Sequence, residues 1–378
     1  MDMIELEKLG IETSRLGFGC MRFPIGEDGE IDEVKASAML DRAYEAGITY
    51  YDTAYVYHNQ KSEGFMAKCL SKYPRDSYTI ATKLPAMLVQ SLEDAKRIFE
   101  DQLVRLNTDH IDFYLLHGMN INAFNLFVEK GILAYCEEMK AAGKIKYFGF
   151  SFHDVYDSFE TIIKYRDWDF CQIQLNYVDI NEQAGLKGYH LAEQLNIPLM
   201  IMEPIKGGSL SILPEEIEKE FRAVNQSDSL STLALRWVGS YMNNKVILSG
   251  MTTMEQLEEN IKTFSGLEPL SEAEFNAVDA MRKKIREKVN NGCTGCNYCM
   301  PCPVGVDIPK NFSLWNRYSM FNNEPDIVFF WTVLMQDHEK AKNCIKCGQC
   351  EDECPQGIGI RDDLAALQKE LDKLAGII

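Results

Sequence analysis

Short apolar runs alternate strictly with amphipathic segments, and this alternation most constrains the fold of the 378-residue chain. After RLGFGCMRF, the β-rich runs are TYYDTA, YTIATK, IDFYLLHG, IKYFGFS, FCQIQLNY, PLMIMEP and KVILSGM. The segments between them place apolar residues at i, i+3 and i+4, as helices do. Eight such units over about 250 residues favour a closed parallel barrel. No G-x-G-x-x-G turn of an open dinucleotide-binding sheet occurs. The sequence therefore predicts an α/β fold with a (β/α)8 TIM barrel.

The composition changes near Asn290, where Cys, Pro and Asn become frequent. We therefore predict a barrel domain over 1–289 and a small, mainly helical domain over 290–378. Two short helices are expected around KNFSLWNRYSMF and DIVFFWTVLMQD, and a terminal helix should follow. That last helix has one apolar face, which favours docking onto its own domain and consists of Leu364, Leu367, Leu371 and Leu374.

The charge balance excludes several classes of partner. A formal net charge of -18 without any Lys/Arg-rich run argues against nucleic acid and against an anionic membrane surface. The first residues, MDMIELEKLG, lack the features of a signal peptide, and the densest apolar run, IVFFWTVLM, is too short to span a bilayer. We expect a cytoplasmic protein without a membrane partner.

Four polar residues stand where predicted strands end. Asp52 ends TYYD, Tyr57 follows in the next loop, Lys83 ends TIATK and His117 ends FYLLH. Taken singly, each has a structural explanation, such as a helix cap or a rim aromatic. In a barrel, however, all four would face one mouth. An acid that pairs a lysine, a lysine that lowers a tyrosine's pKa and a neighbouring histidine form a proton-donating set.

Eight of the twelve cysteines lie in two runs, CTGCNYCMPCP and CIKCGQCEDECP. The second run has the spacing that places three thiolates on one iron-sulfur cubane and a fourth on another, and the first run has the same three-cysteine loop. Zinc is the alternative, although zinc ribbons use two separated pairs. The spacing predicts two [4Fe-4S] clusters: cluster one on Cys293, Cys296, Cys299 and Cys354, and cluster two on Cys344, Cys347, Cys350 and Cys302.

The other four cysteines are predicted to be small buried apolar residues without chemistry: Cys20, Cys69, Cys136 and Cys171. Between the two runs, Phe329, Phe330 and Trp331 form an aromatic group. We expect their helix to pack against the clusters and the barrel, because cubanes need a dry surrounding.

The strand-end residues resemble the aldo-keto reductase superfamily through DTAYVY, ATK, IDFYLLH and a late EEN. This resemblance covers most of the chain, and the whole chain is similar to the iron-sulfur-containing members from anaerobes. It implies that Tyr57 is the general acid, which protonates a carbonyl oxygen as hydride arrives. It also implies that Lys83 and Asp52 tune Tyr57 and that His117 orients the substrate.

The resemblance further implies a nicotinamide cofactor across the barrel mouth, with its carboxamide held by Ser151 and Gln172. Gly250 and Gln256 stand where NADPH-preferring members usually carry Lys and Arg, so NADP and NAD both stay open. The other implied contacts are Met21, Arg22, Met202, Glu203, Pro204, Ile205, Gly207, Met251, Thr252, Glu259 and Asn260.

These features together predict an NAD(P)(H)-linked oxidoreductase that acts on a small-molecule carbonyl or alcohol, with electron transfer through the clusters to a redox protein such as ferredoxin. A hydride carries two electrons and a cubane accepts one, so a flavin or a radical-capable substrate could mediate between them. Two alternatives stay open. The chain could be a nucleotide-binding redox-sensing or electron-transfer subunit, or the clusters could chiefly stabilise the small domain.

Overall fold

All eight β-rich runs form parallel strands of one closed barrel, which confirms the predicted TIM-barrel fold. The computed structural model describes residues 1–293, 295 and 297–377. Two further strands, β1 and β2, precede the barrel. In chain order, the strands are β1 (Met3–Leu6), β2 (Ile11–Ser14), β3 (Leu16–Gly19), β4 (Tyr50–Asp52), β5 (Thr79–Pro85), β6 (Ile111–Met119), β7 (Ile145–Phe152), β8 (Phe170–Gln174), β9 (Leu199–Met202) and β10 (Asn244–Gly250). Consecutive barrel strands are neighbours, and β10 closes onto β3.

Helices follow the barrel strands in sequence, as the periodicity predicts. Several begin at residues whose side chains accept a backbone N–H of the first turn, among them Asp32, Ser91 and Thr253. The α-helices are α1 (Glu33–Glu45), α2 (Ser62–Leu70), α3 (Leu92–Arg105), α4 (Ile121–Glu129), α5 (Ile132–Ala141), α6 (Tyr156–Lys164), α7 (Gly185–Gln194), α8 (Glu215–Arg222), α9 (Leu230–Gly239), α10 (Met254–Thr263), α11 (Glu272–Glu287), α12 (Ile308–Phe321), α13 (Glu324–Phe329), α14 (Gln349–Asp352) and α15 (Ile360–Leu374). A π-helical segment, Phe330–Leu334, continues α13.

The first two strands form an antiparallel hairpin that sequence patterning did not predict. Leu6 is fully buried in the same apolar cluster as Tyr50 and Phe170, the first residues of β4 and β8. The hairpin therefore covers the end of the barrel where the strands begin. The opposite end, where the strands finish, is the mouth.

The chain divides into two compact units. The first comprises residues 1–207 and 228–271, and the second comprises 208–227 together with the chain from Glu272 onward. The second unit thus contains α8 and α11 as well as the cysteine-rich region. No helix in the described ranges is both long and apolar enough to cross a bilayer. The four isolated cysteines are all buried, as predicted.

The second unit has an apolar core of its own. Leu364, Leu367 and Leu371 on α15 are buried there, which confirms that this face docks onto its own domain. Trp331 is fully buried in the same core, and its indole N–H donates to Asp372 Oδ1 at 3.0 Å. Phe329, in contrast, is 52% exposed. The aromatic group is therefore only partly core.

Candidate functional site

The four strand-end residues come together at the mouth of the barrel. Asp52 and Lys83 lie on the adjacent strands β4 and β5, and His117 lies on β6, next to β5. The ring centroids of Tyr57 and His117 are 5.9 Å apart, with the rings nearly perpendicular. Lys83 Nζ lies 5.1 Å from the centroid of the Tyr57 ring. The structure thus brings together the residues that the sequence placed on three successive strands.

Lys83 and Asp52 form a buried ion pair. Lys83 Nζ donates to Asp52 Oδ1 at 2.6 Å and to the Thr53 carbonyl oxygen at 2.7 Å. Burial alone would lower the pKa of Lys83, but Asp52 and Tyr57 outweigh it and the pKa is raised. Lys83 therefore stays protonated and presents a cation beside the Tyr57 phenol.

Tyr57 and His117 differ in what they can do with a proton. Burial raises the pKa of Tyr57, and the charge of Lys83 opposes that rise without cancelling it. Lys83 thus acts in the expected direction, but the phenol stays protonated at neutral pH. Burial, reinforced by Lys83 and His153, lowers the pKa of His117 to about 3. His117 is consequently a neutral hydrogen-bonding group, and Tyr57 holds the transferable proton.

Ser151, near the end of β7, is paired in register with Gln172 in the middle of β8, and both are buried. Ser151 Oγ accepts a hydrogen bond from the Gly118 N–H at 2.8 Å, so its hydroxyl can still donate. Gln172 Nε2 lies 3.4 Å from Met202 Sδ, while Gln172 Oε1 is buried without a hydrogen-bond partner in the described part of the chain. An unpartnered buried acceptor costs about 1–3 kcal/mol, so this position suits a ligand that donates a hydrogen bond.

The loop after β9 is held by one buried carboxylate. Asp179 Oδ2 accepts from Gln174 Nε2 at 2.9 Å and from Asn176 Nδ2 at 3.1 Å. Lys206 Nζ donates to the same oxygen. Glu203 and Lys206 adopt positive φ angles of 56° and 48°, which are costly for residues other than glycine. The network therefore fixes a strained loop that contains four predicted cofactor contacts: Glu203, Pro204, Ile205 and Gly207.

At the predicted adenosine end, Gln256 is engaged with its own helix. Its Oε1 accepts the N–H groups of Thr252 at 2.8 Å and Thr253 at 3.3 Å, capping α10. The exposed Arg22 side chain lies across Gly250, where an added Cβ would come within 3.1 Å of Arg22 Cδ. Arg22 thus places a cation next to the position where a basic side chain is missing.

The other predicted cofactor contacts differ in how far their side chains are exposed to solvent. Met21 is 58% exposed, whereas Met251 is buried. Asn260 Nδ2 donates to Ser249 Oγ at 2.9 Å inside the barrel wall, and Glu259 on α10 is half-buried. Of these four, only Met21 presents a largely exposed side chain.

In the second unit, the described cysteines line two pockets. A cavity of about 460 Å³ is bordered by Cys302, Cys344, Cys347 and Cys350, the four residues predicted for cluster two. Three of the predicted cluster-one residues border a narrower pocket: Cys293, Cys299 and Cys354. Cys299 borders both pockets, and Cys296 lies outside the described residues.

Among the described residues, no three His, Cys, Asp or Glu side chains are grouped so that they could hold a metal ion. The preference for clusters over zinc rests on the spacing of the two cysteine runs.

The family model for aldo/keto reductases matches residues 15–283. The chain belongs to the aldo/keto reductase family. A 4Fe-4S dicluster domain model matches residues 292–358, which follow the region matched by the reductase model.

Individual members of the family are distant relatives. A probable aldo-keto reductase 1 of Glycine max is 31% identical over 39% of this chain and 44% of its own length. An NADH-specific methylglyoxal reductase of Escherichia coli is 25% identical over 69% of this chain and 93% of its own length. The solved holo form of an aldo-keto reductase from Bacillus halodurans has a TM-score of 0.63 and 27% identity, covering 74% of this chain and 96% of that one.

One buried residue behind the four residues at the mouth was missed by sequence reasoning. Glu63 on α2 is fully buried and accepts from Thr82 Oγ1 at 2.6 Å and from Gln102 Nε2 at 2.8 Å. Gln102 also donates to the carbonyl oxygen of Lys83 at 3.0 Å. Glu63 therefore supports the strand that carries Lys83. Its signal in the sequence was an acidic residue within the mainly apolar helix SEGFMAKCL.

Proposed function

We propose that the barrel interconverts a small carbonyl compound and its alcohol with NAD(P)(H) and that Tyr57 is the proton donor. The observation that carries this proposal is the position of the Tyr57 phenol beside the Lys83 ammonium, which Asp52 holds in place. A bound nicotinamide supplies the hydride that reaches the carbonyl carbon. The Tyr57 O–H bond breaks as the carbonyl oxygen takes its proton, and Lys83 stabilises the phenolate that is left.

His117 positions the substrate in this proposal. Its pKa of about 3 keeps the imidazole neutral at working pH, so it cannot deliver a proton as a general acid. Its Nδ1 is buried without a hydrogen-bond partner in the described ranges. A neutral imidazole at this place can hydrogen-bond the substrate oxygen and turn it toward Tyr57.

The residues at the mouth fit a nicotinamide nucleotide. Gln172 Oε1 offers an unpartnered acceptor and Ser151 a hydroxyl donor, which together match the two ends of a carboxamide. Arg22 would meet a phosphate group of the nucleotide. Because Gly250 has no side chain and Gln256 caps α10, the comparison of NADH with NADPH is part of the test.

For the second unit, we propose a dicluster domain over 290–378, joined to a reductase domain over 1–289. Cys302, Cys344, Cys347 and Cys350 would hold one [4Fe-4S] cluster, and Cys293, Cys296, Cys299 and Cys354 the other. Such clusters carry single electrons. A redox protein such as ferredoxin is the proposed recipient. The matched families give no support to a flavin.

Anaerobically reconstituted protein provides the test. We expect NADH or NADPH to bind and carbonyl reduction to follow. Cluster absorbance is recorded as the nucleotide is added without a carbonyl substrate, and bleaching would mean that electrons of the nucleotide reach the clusters. Tyr57→Phe should cut turnover by about 10²–10⁴-fold because it removes the proton donor, and it should leave the cluster spectrum unchanged. Absence of both nucleotide binding and turnover in the parent protein would sink the proposal.

A second candidate is a nucleotide-binding redox sensor or electron-transfer subunit that serves a partner protein. The engagement of Gln256 in capping its own helix favours it, since this position departs from the usual phosphate contact. Tight nucleotide binding without multiple turnovers would support sensing. Steady-state oxidation of NAD(P)H with a carbonyl substrate would exclude it.

A further inference from the structure

Helix α12 carries two buried asparagines that the proposed function does not use. Asn311 is fully buried and Asn316 is 7% exposed. They are five residues apart, which places them about 140° apart around the helix. Buried amides persist in proteins when their hydrogen bonds are satisfied, so the partners of each side chain indicate what it holds.

Asn316 binds the backbone that leads into the first cysteine run. Its Oδ1 accepts the N–H groups of Asn290 at 3.0 Å and Asn291 at 3.2 Å, and its Nδ2 donates to the Asn291 carbonyl oxygen at 3.0 Å. The Asn291 side chain adds two hydrogen bonds to this network. Its Oδ1 accepts the Cys293 N–H at 3.2 Å, and its Nδ2 donates to Asp363 on α15 at 2.9 Å.

Asn311 joins the backbone between the two cysteine runs. Its Nδ2 donates to the carbonyl oxygens of Asp307 at 2.6 Å and Glu339 at 2.8 Å, and its Oδ1 accepts the Ala341 N–H at 3.1 Å. Asp307 follows Cys302 by five residues. The Ala341 carbonyl in turn accepts the Cys344 N–H at 3.0 Å. Both flanking cysteines, Cys302 and Cys344, belong to the proposed cluster two.

We propose that Asn316 and Asn311 are positioning residues, each serving one cluster. Asn316 holds the segment that presents Cys293 to cluster one, and Asn311 holds the segments that present Cys302 and Cys344 to cluster two. An amide has donors and an acceptor together, so it can fix both kinds of backbone group, which an aliphatic side chain cannot do. This inference rests on the proposed cluster assignment.

The test compares Asn316→Ala and Asn311→Ala after anaerobic reconstitution. Iron and sulfide content and the EPR spectrum of the reduced protein are measured, with Cys354→Ser and Cys302→Ser as references for damage to cluster one and cluster two. Loss of groups that orient ligands typically weakens metal sites by about 10- to 100-fold. We expect iron to fall from about eight toward about four per chain in each asparagine variant. The residual spectrum of Asn316→Ala should match Cys354→Ser, and that of Asn311→Ala should match Cys302→Ser.

Ser313→Ala is the matched control, because Ser313 is exposed on the same helix. It should keep the parent's iron content and spectrum. If far-UV circular dichroism shows that an alanine variant unfolds, Asn316→Asp and Asn311→Asp replace it. These keep the acceptor oxygen, lose the donor and should show the same selectivity.

Equal loss of both clusters in the two asparagine variants, or full retention in both, would overturn the inference. Iron-free parent protein would overturn the proposed cluster assignment itself, which is a distinguishable result.

Discussion

Replacing Lys83 by methionine removes the ammonium that faces Tyr57 and keeps an unbranched side chain. Lys83 Nζ lies 5.1 Å from the Tyr57 ring centroid. If this distance is taken as the separation of the ammonium and phenolate charges, two unit charges about 5 Å apart interact by ~3 kcal/mol at an effective dielectric constant near 20. That energy corresponds to a factor on the order of 100 in an ionisation constant. The Tyr57 phenolate should therefore become less stable by about this factor.

The sign of the pH effect follows from the role of the phenol. Carbonyl reduction needs protonated Tyr57, so it proceeds below the pKa of Tyr57 and is lost above it. Alcohol oxidation needs the phenolate, so it rises with pH through the same pKa. Lys83→Met should move that pKa further upward, because burial already raises it and Lys83 opposes the rise. At about pH 8, oxidation should fall on the order of 100-fold, and reduction should fall far less.

The assay follows alcohol oxidation with NAD(P)⁺ and carbonyl reduction with NAD(P)H across the same pH range. Lys83→Met also leaves the buried Asp52 without its cation, so Asp52→Asn combined with Lys83→Met serves as the control for that cost. The double variant should recover stability in urea, but its oxidation rate should still rise only at the higher pH seen in Lys83→Met. If the rates of oxidation and reduction fall equally and the pH dependence of oxidation does not move, Lys83 does not tune Tyr57.

Three further outcomes are expected. Trp331→Ala removes a fully buried side chain and should cost the second unit about 3–5 kcal/mol, measured by urea unfolding, and hasten cluster loss in air; an unchanged cluster lifetime would contradict this. Asp179→Asn removes the charge that holds Lys206, so nucleotide affinity measured by fluorescence should fall about tenfold, and an unaltered affinity would mean that the loop does not touch the nucleotide. Arg22→Met should weaken the binding of NADH and of NADPH about tenfold each if Arg22 contacts a phosphate that both nucleotides have. Weaker binding of NADPH alone would place Arg22 at the 2'-phosphate.

The barrel and the four residues at its mouth could be predicted because both depend on local pattern. The apolar runs and the polar residue that ends each one are visible in a few consecutive letters. Once the strands close in sequence order, Asp52, Lys83 and His117 must face one mouth. The spacing of the two cysteine runs likewise predicts that Cys302 lies near Cys344, Cys347 and Cys350, and these four border one cavity together with Cys299.

The residues that sequence reasoning missed act through contacts between distant segments. In the sequence, Glu63 is an ordinary polar residue of a helix, and only the structure shows that Thr82 and Gln102 donate hydrogen bonds to it. Asn311 and Asn316 look like polar positions on a helix, because nothing local shows that they face backbone segments 25 to 30 residues away. The prediction for the pKa of Tyr57 was also incomplete, since the sequence shows the neighbouring charge of Lys83 but not the burial that outweighs its effect.

The hairpin beneath the barrel bears on the order of events in a turnover. Leu6 and the interior residues around Tyr50 and Phe170 fill the end of the barrel opposite the mouth. Under the proposed function, and within the described part of the barrel, Tyr57 would therefore take up its proton from water through the mouth, which is also where the substrate enters. A substrate bound there would separate the phenol from water. We therefore expect protonation of Tyr57 to precede substrate binding and to recur after the product leaves.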